Sequence, residues 1–341
     1  SYYYKELLQY PEIEYVLRGD STEEPLRQLM DCIVNNREPE TVPNLAWRDS
    51  QGRIQENPFS YVPADLSNVM TNYYGNVIRS VIRYHDLASY TPFRGWTHYP
   101  ITAVLTCRGC TQNCVVCGGS NAAFKFFLNR QETVYRSPQD VERDVRNIAR
   151  FSNGPIFILG DLRQQRKEYA DELLGLLGKH RVKNQLIFEL FRPASADLLH
   201  KMSIASPNFC LEISPETHDT EVREASGKHY SNEELEQTIS DALKVGCGRL
   251  QVFFMIGLPK QTPKSVMETI DYCGYLMDRF KGDKRLSLFI GPLAPFLDPG
   301  SLAFEQPERY GYRILFRTLE EHRQALLAPS WRYTLNYETE W

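Results

Sequence analysis

No stretch of this 341-residue sequence is apolar for long enough to cross a bilayer. The longest run lies near "LQVFFMIGLP", about half of the ~20 residues a spanning helix needs. No secretory signal is visible, so the expectation is a cytoplasmic protein without a membrane partner, although the chain begins at Ser1 and not at Met. No charge sign dominates either. Thirty-nine Lys and Arg against 43 Asp and Glu give a net charge of −4, which removes the bulk electrostatic case for nucleic acid or anionic lipid. No basic C-terminal appendage supplies an RNA-docking surface. Low-complexity segments and internal repeats are missing. Histidine is scarce, at seven residues, and none sits in an Asp-x-His-x-x-Gly setting. The eight cysteines are not spread as a disulfide framework would spread them.

What remains is an ordinary globular composition, 42% hydrophobic and 24% charged, with a clear internal organisation. From Ile101 onward, short apolar runs alternate with helical patterns. The runs are "ITAVLT" at 101, "PIFILG" at 155, "QLIFELF" at 185, "NFCLEIS" at 208, "LQVFFMIG" at 250 and "LSLFIGP" at 286. The helices carry legible starts. Ser137 and Pro138 open one with Val141, Val145, Ile148 and Ala149 on one face. Ser231 begins another whose apolar face is Leu235, Ile239, Ala242 and Leu243 and which stops at Gly246. Thr262-Pro263 begins a third. Continuous apolar strands alternating with helices predict a parallel sheet covered by helices. Six units fit a partial (β/α)6 TIM-like barrel or a doubly wound sheet.

Residues 1–97 read differently, as a strand, a turn, a helix and a hairpin around Gln51-Gly52. Ser21 and Glu24 have the spacing of a capping box, and Leu26, Leu29, Met30 and Ile33 form one apolar helix face. Residues 98–300 contain the alternation. Residues 301–341 predict a helix across "RYGYRILFRTLEEHRQALL" and then an aromatic, extended tail from Trp331 to Trp341. That tail would pack against the barrel or close its mouth.

Reactive groups in parallel α/β architectures gather at the carboxyl ends of strands. There the sequence places a cysteine cluster, Gly160-Asp161, Glu189 with Arg192, Glu212 with Ser214 and Glu216, and "GLPKQT" from Gly257. The cluster is Cys107-x2-Cys110-x3-Cys114-x2-Cys117. Zinc knuckles would be separated by a longer loop than three residues. A ferredoxin run would follow another order and end in proline. Without Cys107, the spacing Cys110-x3-Cys114-x2-Cys117 supplies three thiolates for a four-iron cubane and leaves one iron open. The other cysteines, Cys32, Cys210, Cys247 and Cys273, read as buried apolar residues.

Cys-x3-Cys-x2-Cys directly after the first strand of a β/α barrel resembles the radical S-adenosylmethionine (SAM) superfamily, over roughly residues 98–300. The resemblance implies an α/β partial barrel. It implies a [4Fe–4S] cluster on Cys110, Cys114 and Cys117, with SAM chelated at the open iron and cleaved reductively to start radical chemistry. It further implies a small-molecule or peptide substrate and an electron donor such as flavodoxin or ferredoxin. Gly160 and Asp161 resemble the element that holds the SAM amino group, with Asp where the family has Glu. Glu212 and Ser214 resemble the element reaching the ribose and carboxylate. Met255, Ile256, Gly257 and Leu258 resemble the segment that flanks adenine. Val116 stands where the family often has an aromatic residue, and Cys107 has no family counterpart.

"YVLRGDSTEEPLRQLM…VPNLAWRDSQGRIQENP" and "RGC" at 108–110 also resemble the class with an N-terminal B12-binding domain, as the tail and linker of that domain. Methyl transfer is the commonest outcome in that class. Its cobalamin-ligating motif is absent here, so the resemblance leaves cobalamin open without a ligand for it. The rival reading is a non-catalytic iron–sulfur or zinc protein that uses the cysteines for electron transfer or structure. Substrate and catalytic residues are not legible.

Overall fold

The computed structural model describes residues 2–67, 69, 74–293, 296–328, 330 and 334–339. Its centre is a parallel sheet of β1 (Thr102–Leu105), β2 (Ile156–Leu159), β3 (Leu186–Leu190), β4 (Cys210–Glu216), β5 (Arg249–Ile256) and β6 (Leu286–Pro292). The spatial order is the chain order, β1 to β6, and every neighbouring pair is parallel. The alternation of apolar runs and helices is thus realised as six parallel strands in sequence, the open-barrel alternative and not the doubly wound one.

Three crossover helices begin where the sequence signals them. Ser137 accepts from Asp140 N ahead of the helix Pro138–Ala149. Ser231 with Glu234 and Thr262 with Ser265 close capping boxes ahead of Asn232–Lys244 and Pro263–Arg279. These helices bury Val141, Val145, Ile148, Leu235, Ile239 and Ala242 against the outer faces of the strands, in one core with Ile156, Ile158, Phe188, Leu211 and Val252. Burial at ~25 cal/mol per Å² makes this layer the main stabilising term.

The N-terminal region folds as an antiparallel three-stranded sheet (Tyr15–Leu17, Leu45–Arg48, Ile54–Glu56) with a helix, Glu23–Val34. The hairpin around Gln51-Gly52 is present. Two expectations fail here. Thr22, not Ser21, precedes the helix, without a side-chain cap. Ser21 is drawn instead into a tertiary network, donating to Asp20 at 3.1 Å and accepting from Arg130 at 3.2 Å. The buried stripe is Pro25, Leu29 and Cys32, packed on Val42, Leu45 and Trp47, while Leu26, Met30 and Ile33 are exposed. The small sheet covers a narrower stripe than the helix offers.

The C-terminal helix is also shorter than predicted. Gly311 takes a left-handed conformation (φ 73°), and Tyr312–Ile314 then pairs antiparallel with Tyr337–Thr339. Helix resumes only at Leu319–Leu326, behind a Thr318–Glu321 capping box. The two ends of the chain pack together: Tyr2 donates to Glu305 at 2.7 Å and Tyr10 to Glu320 at 2.6 Å. Of the aromatic tail, Trp331, Tyr333 and Trp341 lie outside the described residues. Tyr337 is packed against the barrel, donating to the Leu293 carbonyl at 3.0 Å. Among the described residues no helix is long and apolar enough to cross a membrane.

Candidate active site

The carboxyl ends of β1 to β5 surround a cavity of about 660 Å³. The segment after β1 forms one wall. Thr106 donates to the Leu159 carbonyl at 2.7 Å, and Cys107–Arg108 pairs with Val134–Tyr135 as a short ribbon. The chain then turns inward, and three contacts fasten the turn. Val115 N donates to Ser226 O at 3.1 Å, Ala303 N donates to Val115 O at 3.0 Å, and Gly118 N donates to Asp298 Oδ2 at 2.9 Å. Ser120 caps the helix Asn121–Phe127 that follows.

This wall brings Cys107, Cys110, Cys114 and Cys117 to the same cavity. Backbone N–H groups point at two of the sulfurs: Gln112 N to Cys110 Sγ and Gly119 N to Cys117 Sγ, both at 3.3 Å. Hydrogen bonds to sulfur are among the features that tune thiolate-bound clusters. Burial pushes the Cys110 thiol up to about 12 and the Cys117 thiol up to about 11. Cys114 is also raised by burial, against the opposing charge of Lys228. Thiols so enclosed become thiolates only with a cationic partner, and bound metal supplies one. Among the described residues no three Cys, His, Asp or Glu groups converge on a single-ion position. Cys107 donates toward the Gly109 carbonyl at 3.7 Å and accepts from Gln164 Nε2 at 3.8 Å.

The other predicted residues divide. Gly160 lines the cavity in a left-handed conformation (φ 91°), where a Cβ would stand 3.1 Å from Thr106 Oγ1. Glu212 and Ser214, alternate residues of β4, face the same space, as does Met255. Asp161 does not line the cavity. It is 3% exposed, and its carboxylate accepts from Arg163 N and Nε at 2.9 and 2.8 Å and from Phe191 N at 2.8 Å. Its two oxygens are spent on holding the β2 and β3 turns. Ile256, Gly257 and Leu258 also lie outside the lining. Their segment is committed to packing: Gln261 donates to the Met255 carbonyl at 2.9 Å and Tyr312 to the Gly257 carbonyl at 2.6 Å.

The acidic position beside Gly160 is filled from the next strand. Glu189 accepts from Gly160 N at 2.9 Å and stands opposite Glu212 in the β3–β4 register. Burial raises both carboxyls above their ordinary range, and for Glu189 the nearby Glu212 adds to it. Among the described residues Glu212 has no hydrogen-bonded partner. The charge of Arg249 opposes the rise in Glu212, while Arg223 is spent on Thr217, Tyr230 and Asn232. Sequence reasoning missed Lys228, Glu216 as its partner, and Asp298. Lys228 pairs with Glu216 at 2.5 Å and Asp298 sits in an Asp-Pro-Gly turn. Only the turn left a local signal.

Comparison with known proteins bears on this site. The model of the Radical SAM superfamily matches residues 104–273, a span containing all four clustered cysteines and β2 to β5. Among curated protein sequences none matches the chain significantly. Solved structures match by fold. One is the radical S-adenosylmethionine methyltransferase TsrM from Kitasatospora setae with cobalamin and a [4Fe–4S] cluster bound (TM-score 0.64, 14% identity, 96% of this chain and 61% of that one). The same enzyme with tryptophan substrate and a SAM analogue matches at TM-score 0.61 and 16% identity, over 83% and 52%. The cobalamin-dependent SAM radical enzyme OxsB with aqua-cobalamin matches at TM-score 0.56 and 13% identity, over 79% and 37%. The chain thus spans about a third to three-fifths of the length of these proteins.

Proposed function

This chain belongs to the radical SAM superfamily, and from that premise we propose that Cys110, Cys114 and Cys117 hold its [4Fe–4S] cluster. When bound, the cluster and SAM supply the chemistry of the family: one-electron reductive cleavage of the sulfonium to start radical chemistry. The chain's own residues bind and orient. Gly160 gives SAM close access to the backbone, and Glu189, in place of Asp161, offers a carboxylate to an ammonium group. Glu212 and Ser214 present acceptors to ribose hydroxyls, and Met255 supplies an apolar wall. Apolar side chains of Val116, Phe124, Leu190, Phe191 and Leu293 exclude water from the reacting atoms.

The observation that carries this reading is the joint placement of the Cys-x3-Cys-x2-Cys thiols, two of them with N–H donors, on a cavity at the carboxyl end of a six-stranded parallel sheet. We propose a small molecule or peptide as substrate, with methyl transfer as the reaction, since TsrM is a methyltransferase of like fold. A flavodoxin or ferredoxin is the proposed reductant, and the cytoplasm, where thiols stay reduced, the proposed compartment. Cobalamin receives no residue in this chain. In the N-terminal lobe the buried Asn44 and the half-buried Asn57 are bonded to its own backbone, whereas Trp47 Nε1 is buried without a partner, and no step is routed through a corrinoid. Anaerobic reconstitution tests the reading. Four irons per chain and reductant-dependent formation of 5′-deoxyadenosine from SAM are expected. One zinc per chain with no cluster would return the protein to the structural or electron-transfer alternative.

A further inference from the structure

Close to Cys114 lies a buried charged pair that ligation itself does not require. Gly227 (φ 92°) approaches the ligand loop so closely that a Cβ there would stand 2.6 Å from the Asn113 carbonyl oxygen and 3.3 Å from the Cys114 Cα. The bond from Val115 N to Ser226 O locks this approach. The next residue, Lys228, is therefore delivered to the cluster wall, where it lines the cavity with Cys114 and Cys117. Its side chain is 11% exposed and pairs with Glu216, itself 9% exposed.

The pair is held with polar capacity left over. An ammonium has three N–H donors, and the described partners of Lys228 are two, Glu216 and the Ser214 carbonyl. Glu216 Oε2 and the Tyr230 hydroxyl are buried without partners. Glu216 also occupies a left-handed backbone conformation (φ 67°), which a non-glycine residue adopts at a cost and which tends to mark functional sites. Paired buried charges are weak sources of stability, so stability alone does not account for strain, orphaned atoms and a cation placed together on the cluster wall.

We infer that the Lys228 ammonium is the charge that sets the reduction potential of the thiolate-bound cluster, with Glu216 as the counter-charge that moderates it. The inference rests on the proposed cluster at Cys110, Cys114 and Cys117. A reduced cluster carries one more negative charge than an oxidised one. A fixed cation nearby favours the reduced state and raises the potential, and net charge is one of the terms that set it. In a cavity of low dielectric this effect is larger than in water. Lys228 is thus a positioning and tuning residue, not a ligand.

The test is a potentiometric titration, followed by electron paramagnetic resonance, of reconstituted protein without SAM, with iron content measured on the same samples. Lys228→Met should lower the reduced-to-oxidised ratio at fixed ambient potential at least tenfold, which is ~59 mV for a one-electron couple. Glu216→Gln should move the ratio in the opposite direction, and Lys228→Arg should stay within about threefold of the wild type. A merely structural pair would shift both neutralising variants the same way or neither. If Lys228→Met fails to retain iron, the rise in the ratio with Glu216→Gln, set against the near wild-type ratio of Lys228→Arg, still decides. A wild-type chain that builds no cluster overturns the proposed function and this inference together. A normal cluster whose potential ignores both charges overturns this inference alone.

Discussion

In the N-terminal lobe, Asn44 is fully buried and its amide is used in both directions: it donates to the Tyr61 carbonyl at 2.7 Å and accepts from Tyr61 N at 2.9 Å. Asn57 donates to the Pro39 and Val42 carbonyls, and Arg48 to those of Leu8, Tyr10 and Ile13. At the barrel mouth the accounting is left open. Glu212 has no hydrogen-bonded partner among the described residues, Glu189 has one, and Glu216 Oε2 and Tyr230 Oη are orphaned. Buried polar groups cost stability unless bonded. Asn44, Asn57 and Arg48 thus serve the lobe's own backbone, whereas Glu212 and Glu216 keep acceptor capacity on the cavity wall; Trp47 Nε1 is the lobe's exception.

That contrast breaks most sharply at the thiols. Ala at Cys110, Cys114 or Cys117 should abolish both cluster assembly and SAM cleavage, whereas Cys107→Ala should retain them; iron analysis and 5′-deoxyadenosine yield distinguish the two groups. If Cys107 proves equally essential, the three-ligand assignment fails. Next in size, Asn44→Ala in the lobe removes two buried hydrogen bonds and a residue type suited to its positive φ (61°). It should cost about 2 kcal/mol in urea denaturation and leave SAM affinity unchanged.

Glu212→Gln should do the reverse. Because burial raises Glu212 in the folded chain, folding favours its protonated form. The associated stability is present below the unfolded-state value and is lost as pH rises through the folded one. The Gln variant of the cluster-free protein should therefore melt higher than wild type at pH 7, with the difference vanishing toward pH 4. Its SAM affinity, measured by calorimetry on the reconstituted enzyme, should fall about tenfold, or ~1.4 kcal/mol. The smallest effect belongs to the exposed pair of Arg27 with Glu24, where Arg27→Ala should leave the midpoint of urea denaturation indistinguishable from the wild type. A measurable loss there would mean that the lobe's surface is not simply solvated.

Much of this architecture was legible in one dimension. The capping residues Ser137, Ser231 and Thr262 announce their helices because capping is a bond between residues two or three apart. The apolar runs announce six strands because a strand buried on both faces has no polar alternation to confuse it. The C-terminal helix was over-extended since Gly311 reads as tolerable within a helical pattern, while the pairing of Tyr312–Ile314 with Tyr337–Thr339 is a contact across more than twenty residues. Ser21 failed as a cap for the same reason: its partners Asp20 and Arg130 meet only after the lobe docks on the cluster loop.

The sequence by itself determined the cysteine spacing, the six apolar strands and the end of the sheet at which polar groups would gather, because spacing and period are properties of a local chain. Tertiary structure alone decided which carboxylate faces the cavity. Asp161 and Glu189 are 28 residues apart and chemically alike, and the turn that gives Asp161 to Arg163 and Phe191 leaves Glu189 to Gly160. It also decided that Lys228 lies beside Cys114, for that proximity depends on a glycine approaching a backbone more than a hundred residues away, and no local pattern encodes it.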